Sequence, residues 1–215
     1  MCTQPARLAR CIAEEGIEPL RRALLAEPPG LPLVPRRGDY DLDPYTRRPV
    51  SLELVPAAVL LAIVERAEPM VLFTRRTEHL ARHAGQVSLP GGRMHADDKS
   101  LVETALRETR EETGIESGFV SIAGYLDVYE TGTGFAILPV VGLLREGYSL
   151  VADPHEVAEI FDVPLVFLMD PTNCRRETGE WRGAKREFFS FEYGSHRIWG
   201  ATAAIVVNLR ERLCP

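Results

Sequence analysis

Residues 85–92 read Gly85-Gln86-Val87-Ser88-Leu89-Pro90-Gly91-Gly92, and residues 106–115, beyond a short acidic loop, read Leu106-Arg107-Glu108-Thr109-Arg110-Glu111-Glu112-Thr113-Gly114-Ile115. Pro90, Gly91 and Gly92 break a short strand-like stretch, and the chain then enters a helix. Ser100 and Glu103 have capping-box spacing, so this helix should run from about Leu101 to Thr113, with Gly114 as its C-terminal cap. Glu108, Glu111 and Glu112 stand at i, i+3 and i+4 and share one helix face. Clustered carboxylates repel one another unless a cation sits among them, and all-oxygen sites suit Mg²⁺ or Mn²⁺. Arg107, four residues before Glu111, is spaced to pair with it. Such a helix can also be an ordinary solvated acidic face. The glycine turn before it and Gly114 after it favour a site, and a metal–carboxylate cluster beside a Gly-rich loop suggests chemistry on a phosphate ester or anhydride.

Outward from this segment, residues 56–64 and 70–74 read as strands joined by a charged turn, and residues 86–89 as a short strand. Residues 119–129 and 135–144 read as strands around Thr131-Gly132-Thr133-Gly134. Residues 187–193 and 197–199 are aromatic-rich strand candidates, and residues 201–212 read as a closing amphipathic helix. Helices and strands mix without regular βαβ alternation, which favours α+β over a doubly wound sheet. Residues 5–26 have helical periodicity, with Leu8, Ile12, Leu20, Leu24 and Leu25 as an apolar face. Pro28, Pro29, Pro32 and Pro35 then forbid regular helix. Residues 1–53 are therefore expected to be a helical and Pro-rich extension, and residues 54–215 a compact domain.

The 215 residues, 45% hydrophobic, suffice for one medium-sized domain with a substantial core. The net charge of −6 argues against a nucleic-acid-coating protein but not against a small anionic substrate. Cys2, Cys11, Cys174 and Cys214 are scattered, without a Cys-x-x-Cys pair, so neither a zinc ribbon nor a disulfide framework is supported. No signal-peptide h-region or membrane-spanning apolar run is seen, and the expectation is a cytoplasmic protein without a membrane partner. A homodimer is left open.

Residues 92–115 resemble the Nudix hydrolase signature: Gly, five residues, Glu, seven residues, then Arg-Glu-apolar-any-Glu-Glu-any-Gly-apolar. Residues 107–115 match its second half, with Thr109 in an apolar slot. From Gly92, five residues lead to Asp98 in the Glu slot, and eight rather than seven then precede Arg107. These departures look like the coenzyme A pyrophosphatase branch. Its upstream motif is matched by Leu72-Phe73-Thr74-Arg75-Arg76-Thr77 and by Gly85 through Gly92; Ala81 fills an internal Arg slot beside Arg82, and Leu89 replaces Phe. Further resemblance runs through residues 138–142, 156–165 and 198–202, about residues 54–210 in all.

The resemblance implies a Nudix-type α/β/α sandwich with a mixed β-sheet. It implies metal-dependent hydrolysis of a diphosphate that links a nucleoside to another moiety. On the coenzyme A branch the substrate is CoA or acyl-CoA, and the products are 4′-phosphopantetheine (or its acyl form) and adenosine 3′,5′-bisphosphate. The alternatives are ADP-ribose, NADH or another nucleoside diphosphate derivative, and a non-catalytic nucleotide-binding regulator. Glu108, Glu111 and Glu112 are the candidate Mg²⁺ or Mn²⁺ ligands, and Arg107, Glu111 and Glu112 the candidate catalytic residues. Glu156 and Glu159 are further candidates for the base that accepts the water proton; otherwise they read as a solvated helix face. Arg76 and Arg82, with Arg75 nearby, suit a phosphate, and Gly91 and Gly92 permit close approach of backbone to a ligand. His79 and His83 have zinc-compatible spacing in an unsuitable context; Tyr129 and Trp199 could stack on an adenine, but aromatic residues on strands are more often core.

Overall fold

The fold is a computed structural model that describes residues 14–15, 17–42, 53–79, 83–181 and 183–213. Leu8, Ile12, Ala81, Arg82, Cys2, Cys11 and Cys214 lie outside the described residues. In chain order the elements are α1 (Glu18–Ala23), β1 (Arg37–Gly38), β2 (Val55–Val64), β3 (Met70–Arg76), β4 (Val87–Ser88), β5 (Gly91–Arg93) and α2 (Leu101–Thr113). They continue with β6 (Val120–Tyr125), β7 (Tyr129–Glu130), β8 (Phe135–Leu144), β9 (Val157–Pro164), α3 (Leu165–Met169), β10 (Cys174–Trp181), β11 (Ala184–Tyr193), β12 (His196–Trp199) and α4 (Gly200–Leu213).

The apolar run of β2 forms a central strand covered on both faces. It pairs in parallel with β8 from Val55↔Phe135 to Val64↔Leu144. Ala58, Leu60, Ala62 and Val64 pack with Leu101 and Ala105 of α2. Leu61 and Ile63, pointing the other way, pack with Ala203, Val206 and Leu209 of α4. The mixed nine-stranded sheet therefore lies between two helical layers. A second sheet, β10–β11–β12, is antiparallel and packs beside α4.

The outer edge of β2 is shared. β3 pairs with Ile63 and Val64, and β5 with Ala57, Ala58 and Val59. The strands diverge there, and the chain between them carries the glycine turn. β9 then pairs with β3 from Met70↔Pro164 to Arg76↔Val157.

Four elements differ from the sequence reading. Residues 157–164 form a strand, not a helix face, because pairing with the edge of β3 outweighs the Glu156–Glu159 spacing. The expected strand over 119–129 is divided into β6 and β7 by a segment in which Asp127 turns toward α4; there Asn208 Nδ2 and Arg212 Nη2 donate to it at 3.2 and 2.7 Å. The charged strand β10 carries no apolar alternation that would announce it, and its register is supplied by β11. α4 is buried more widely than an amphipathic helix, including Asn208, because both sheets pack on it.

The described part of the N-terminal extension packs on the domain. Leu20 and Leu24 enter the core around α4, Leu25 bridges to Tyr125, and Leu33 enters the core around α2. β1 adds in parallel to β7, with Arg37 opposite Tyr129.

Candidate active site

α2 begins where Ser100 Oγ accepts the Glu103 N–H at 3.2 Å. Glu103 reaches back to the Lys99 N–H at 2.7 Å, one residue beyond the usual capping-box partner. Gly114 ends the helix at φ +76°, and its N–H donates to the Arg110 carbonyl. Thr109, in the apolar slot, is buried and donates to the Ala105 carbonyl at 2.6 Å, so its hydroxyl is satisfied.

Asp98 organises the loop before the helix. It accepts from the His95 N–H, from Thr104 Oγ1, and from Arg107 Nε and Nη2 at 2.9 and 3.0 Å. The Arg107 fork holds the Asp98 carboxyl far below the ordinary carboxylate range, against the effect of its burial. The remaining nitrogen, Nη1, faces Glu108 Oε1 at 2.9 Å and Glu111 Oε2 at 3.0 Å. Arg107 thus spans the loop and two of the three helix carboxylates.

Glu112 is different. It is 4% exposed, and its Oε2 has no hydrogen-bond partner. Burial pushes its carboxyl up to about 8; Glu108 and Glu156 push the same way, while Arg76 and the Gly91 backbone pull it down. Burial also raises Glu108, partly offset by Arg107. Glu108 occupies the space of a missing side chain: a Cβ on Gly92 would lie 2.5 Å from its Cδ. A Cβ on Gly91, at φ +153°, would meet the Ala58 carbonyl at 2.4 Å, so backbone approach requires glycine there, whereas at Gly92 a Cβ would displace the Glu108 carboxylate.

β3 separates the two arginines that precede the turn. Arg76 lies on the α2 side, where its charge acts on Glu112 and its Nη2 is 3.7 Å from Glu156. Its Nε is buried without a partner. Arg75 points to the other face, where its Nε donates to Glu159 at 3.0 Å. Glu159 is also 3.1 Å from His196 Nε2, which stacks on Phe161. Glu156 therefore joins the cluster around α2, and Glu159 does not. Arg82 lies outside the described residues.

A cavity of about 600 Å³ opens beside Arg76, Gly91 and Gly92, between the main sheet and the β10–β12 sheet. Phe188 and Trp199 line it, as do Tyr129 and Asp39.

The NUDIX domain model matches residues 54–196. The chain belongs to the Nudix family. A Nudix hydrolase from Photorhabdus laumondii, named "Uncharacterized Nudix hydrolase NudL", is 40% identical over 157 residues, 73% of this chain and 84% of the relative. A relative of the same name from Yersinia enterocolitica is 39% identical over 157 residues, 73% of this chain and 80% of that protein. Among solved structures, a MutT protein from Methanosarcina mazei is 28% identical with a TM-score of 0.45, over 56% of this chain and 84% of that one. The Nudix domain of Shewanella oneidensis NrtR, solved with ADP ribose, is 20% identical with a TM-score of 0.41, over 59% and 82%.

Nudix hydrolases generally use divalent metal ions such as Mg²⁺ or Mn²⁺. In this Nudix chain no three acidic, His or Cys side chains converge on one point among the described residues. Glu108 and Glu111 turn to Arg107 instead. The donor set still fits a hard cation: three carboxylates lie within one helical turn, and the most buried of them has an oxygen with no partner. Burying such a group is costly unless a cation compensates it.

Of the residues that sequence spacing singles out, the structure brings Glu108, Glu111, Glu112, Arg76, Gly91 and Gly92 close together. Sequence showed Asp98 as a motif position without showing that Asp98 anchors Arg107. It left Tyr129 and Trp199 in the core, yet both also form cavity wall. Asp39 and Phe188 carried no local signal, because they reach the cavity only through the pairing of β1 with β7 and of β10 with β11.

Proposed function

We propose that this Nudix hydrolase cleaves the diphosphate of coenzyme A or an acyl-CoA, giving 4′-phosphopantetheine or its acyl form and adenosine 3′,5′-bisphosphate. One observation carries the hydrolytic reading. Two buried polar atoms, Arg76 Nε and Glu112 Oε2, have no hydrogen-bond partner in the protein, and Arg76 lines the cavity with Gly91 and Gly92. A diphosphate supplies acceptors for the first, and its accompanying cation compensates the second.

Glu108, Glu111 and Glu112 would hold Mg²⁺ or Mn²⁺, which when bound neutralises diphosphate charge and activates water. Arg107, fixed by Asp98, keeps Glu108 and Glu111 in register with Glu112. Arg76 binds a phosphate oxygen, and the two glycines of β5 let the diphosphate approach the backbone. Glu156 accepts the proton of the attacking water. It faces Arg76 and the Glu112 carboxylate, and its side chain is half-exposed. Glu159, tied to Arg75 and His196 on the other face, is the weaker base candidate.

The coenzyme A assignment is supported by the motif over residues 72–92, of which Arg76, Gln86, Val87, Ser88, Leu89, Gly91 and Gly92 line the cavity. One observation favours a second reading, ADP-ribose or NADH: Arg75, a cation of that motif, is engaged away from the carboxylate cluster. The test is kcat/KM for CoA, acetyl-CoA, ADP-ribose and NADH with Mg²⁺ and with Mn²⁺. CoA or acetyl-CoA should lead; an ADP-ribose preference would establish the second reading.

A further inference from the structure

The cavity wall contains a segment that precedes the matched Nudix domain. Gly38, Asp39 and Leu42 line the cavity, whereas the family match begins at residue 54. This segment is tied down closely. The Arg36 and Arg37 N–H groups donate to the Val128 carbonyl, and the Asp39 N–H donates to the Glu130 carbonyl. Gly38 N–H donates to Asp41 Oδ1, which closes a turn at Asp39.

Asp39 is where three walls meet. Its Oδ1 accepts from Tyr129 Oη at 2.7 Å, on the main sheet, and its Oδ2 accepts from the Gly132 N–H in the following loop. From the small sheet, Arg186 Nη1 approaches Oδ2 to 4.0 Å. Each carboxylate oxygen accepts about two hydrogen bonds, so the two anchors leave acceptor capacity. The side chain is 29% exposed and lines the cavity. It is a fixed acceptor, held without reliance on a ligand, in a pocket whose wall combines the aromatic Phe188 and Trp199 with charged groups such as Arg76, Arg186 and Glu187. A few fixed polar groups in an apolar pocket set ligand orientation and specificity.

We propose that Asp39 is a specificity-determining residue that accepts a hydrogen bond from the ribose 2′-hydroxyl of the substrate nucleoside, whose base lies against the Phe188–Trp199 wall. This rests on the reading of the chain as a hydrolase of nucleoside diphosphate derivatives. The chemistry narrows the ligand group. A carboxylate selects a hydrogen-bond donor and disfavours an anion, so the diphosphate belongs at the Arg76 end of the cavity and a sugar hydroxyl at the Asp39 end. The 2′-hydroxyl is free in both CoA and ADP-ribose; in CoA it adjoins the 3′-phosphate, whose charge would need Arg186, 4.0 Å from Asp39, to offset it. The flat rings Phe188 and Trp199, with centroids 5.3 Å apart, offer a face to a purine.

The test is calorimetric binding of AMP and 2′-deoxy-AMP, with Mg²⁺, to the full chain and to its Asp39→Asn variant. The full chain should bind AMP about tenfold more tightly than the deoxy analogue, the worth of one hydrogen bond. Asp39→Asn, whose neutral amide oxygen is a weaker acceptor, should lose most of that preference, while the KM of CoA hydrolysis rises more than its kcat falls. Tyr129→Phe removes an anchor but keeps the carboxylate, so it should retain a 2′-hydroxyl preference; an Asp39 that merely latched the fold would make the two variants behave alike. If Asp39→Asn does not fold, Asp39→Glu, which shifts the carboxylate by one methylene, should likewise lose the preference. Absence of the preference in the full chain, or its persistence in the folded Asp39 variant, would overturn the assignment. Failure of the coenzyme A reading would instead appear as an inert CoA alongside intact AMP discrimination.

Discussion

Arg107 and Asp98 meet as a fork on a carboxylate, Nε to Oδ1 at 2.9 Å and Nη2 to Oδ2 at 3.0 Å, and the same guanidinium leaves Nη1 facing Glu108 and Glu111. The shorter Asp98 side chain and the one-residue longer loop are thus parts of one arrangement. His95 N–H and Thr104 Oγ1 complete the shell of Asp98. Asp98→Asn keeps the shape but loses the charge against a guanidinium that is only 18% exposed. Thermal or urea denaturation should show a loss of about 2–4 kcal/mol. A loss under about 0.5 kcal/mol, the level of a surface pair, would mean that the fork does not hold the loop.

Gly92→Ala tests the close approach of turn and helix. The new Cβ would stand 2.5 Å from Glu108 Cδ, so the carboxylate must move. Displacement of a site group by about 1 Å commonly costs roughly 100-fold in rate. Steady-state kinetics should show a fall of that order in kcat/KM, with weaker Mn²⁺ binding. Unchanged kinetics would show that Glu108 need not sit where the structure places it.

The pH dependence of stability follows from Glu112. Its folded carboxyl lies near 8 against an ordinary 4.5, so between these values the folded state holds more protons than the unfolded state. Stability of the metal-free protein should therefore fall as pH rises through that window and level off above it. Glu112→Gln removes the titration. In EDTA its Tm should match the parent near pH 5 and exceed it by roughly 5–10 °C at pH 8.5. Parallel Tm profiles for the two proteins would contradict the assignment of an uncompensated buried carboxylate.

Arg76 and Arg75 adjoin in sequence but act on opposite faces. Arg76→Ala should lower kcat/KM by about 10- to 100-fold, the loss of a charged hydrogen bond to phosphate. Arg75→Ala breaks a half-exposed pair with Glu159 and should change kcat/KM less than about threefold. Equal losses in both variants would refute the division made by β3.

Much of this site is legible in sequence because it is local. Capping at Ser100, the end at Gly114 and the shared face of Glu108, Glu111 and Glu112 are consequences of helical periodicity within the single segment Ser100–Gly114. β2 and β8 are equally plain, since both are long apolar runs. What sequence hides depends on distant pairing. An irregularity between Arg75 and Arg76 in the β3–β9 register decides which arginine and which glutamate reach α2. The cavity needs β1 beside β7 and the β10–β12 sheet beside α4, and no spacing rule predicts either. Asp39 therefore looked like one charge in a Pro-rich arm, although it stands in the cavity wall.

The most direct test of the account is product analysis by mass spectrometry after incubation of the protein with CoA and Mg²⁺ in ¹⁸O-labelled water, beside the Glu112→Gln variant. The account predicts 4′-phosphopantetheine and adenosine 3′,5′-bisphosphate, with one ¹⁸O in one of the two products, and turnover reduced at least about 100-fold in the folded variant. Full turnover in Glu112→Gln, or cleavage of CoA at any bond other than the diphosphate, would contradict it.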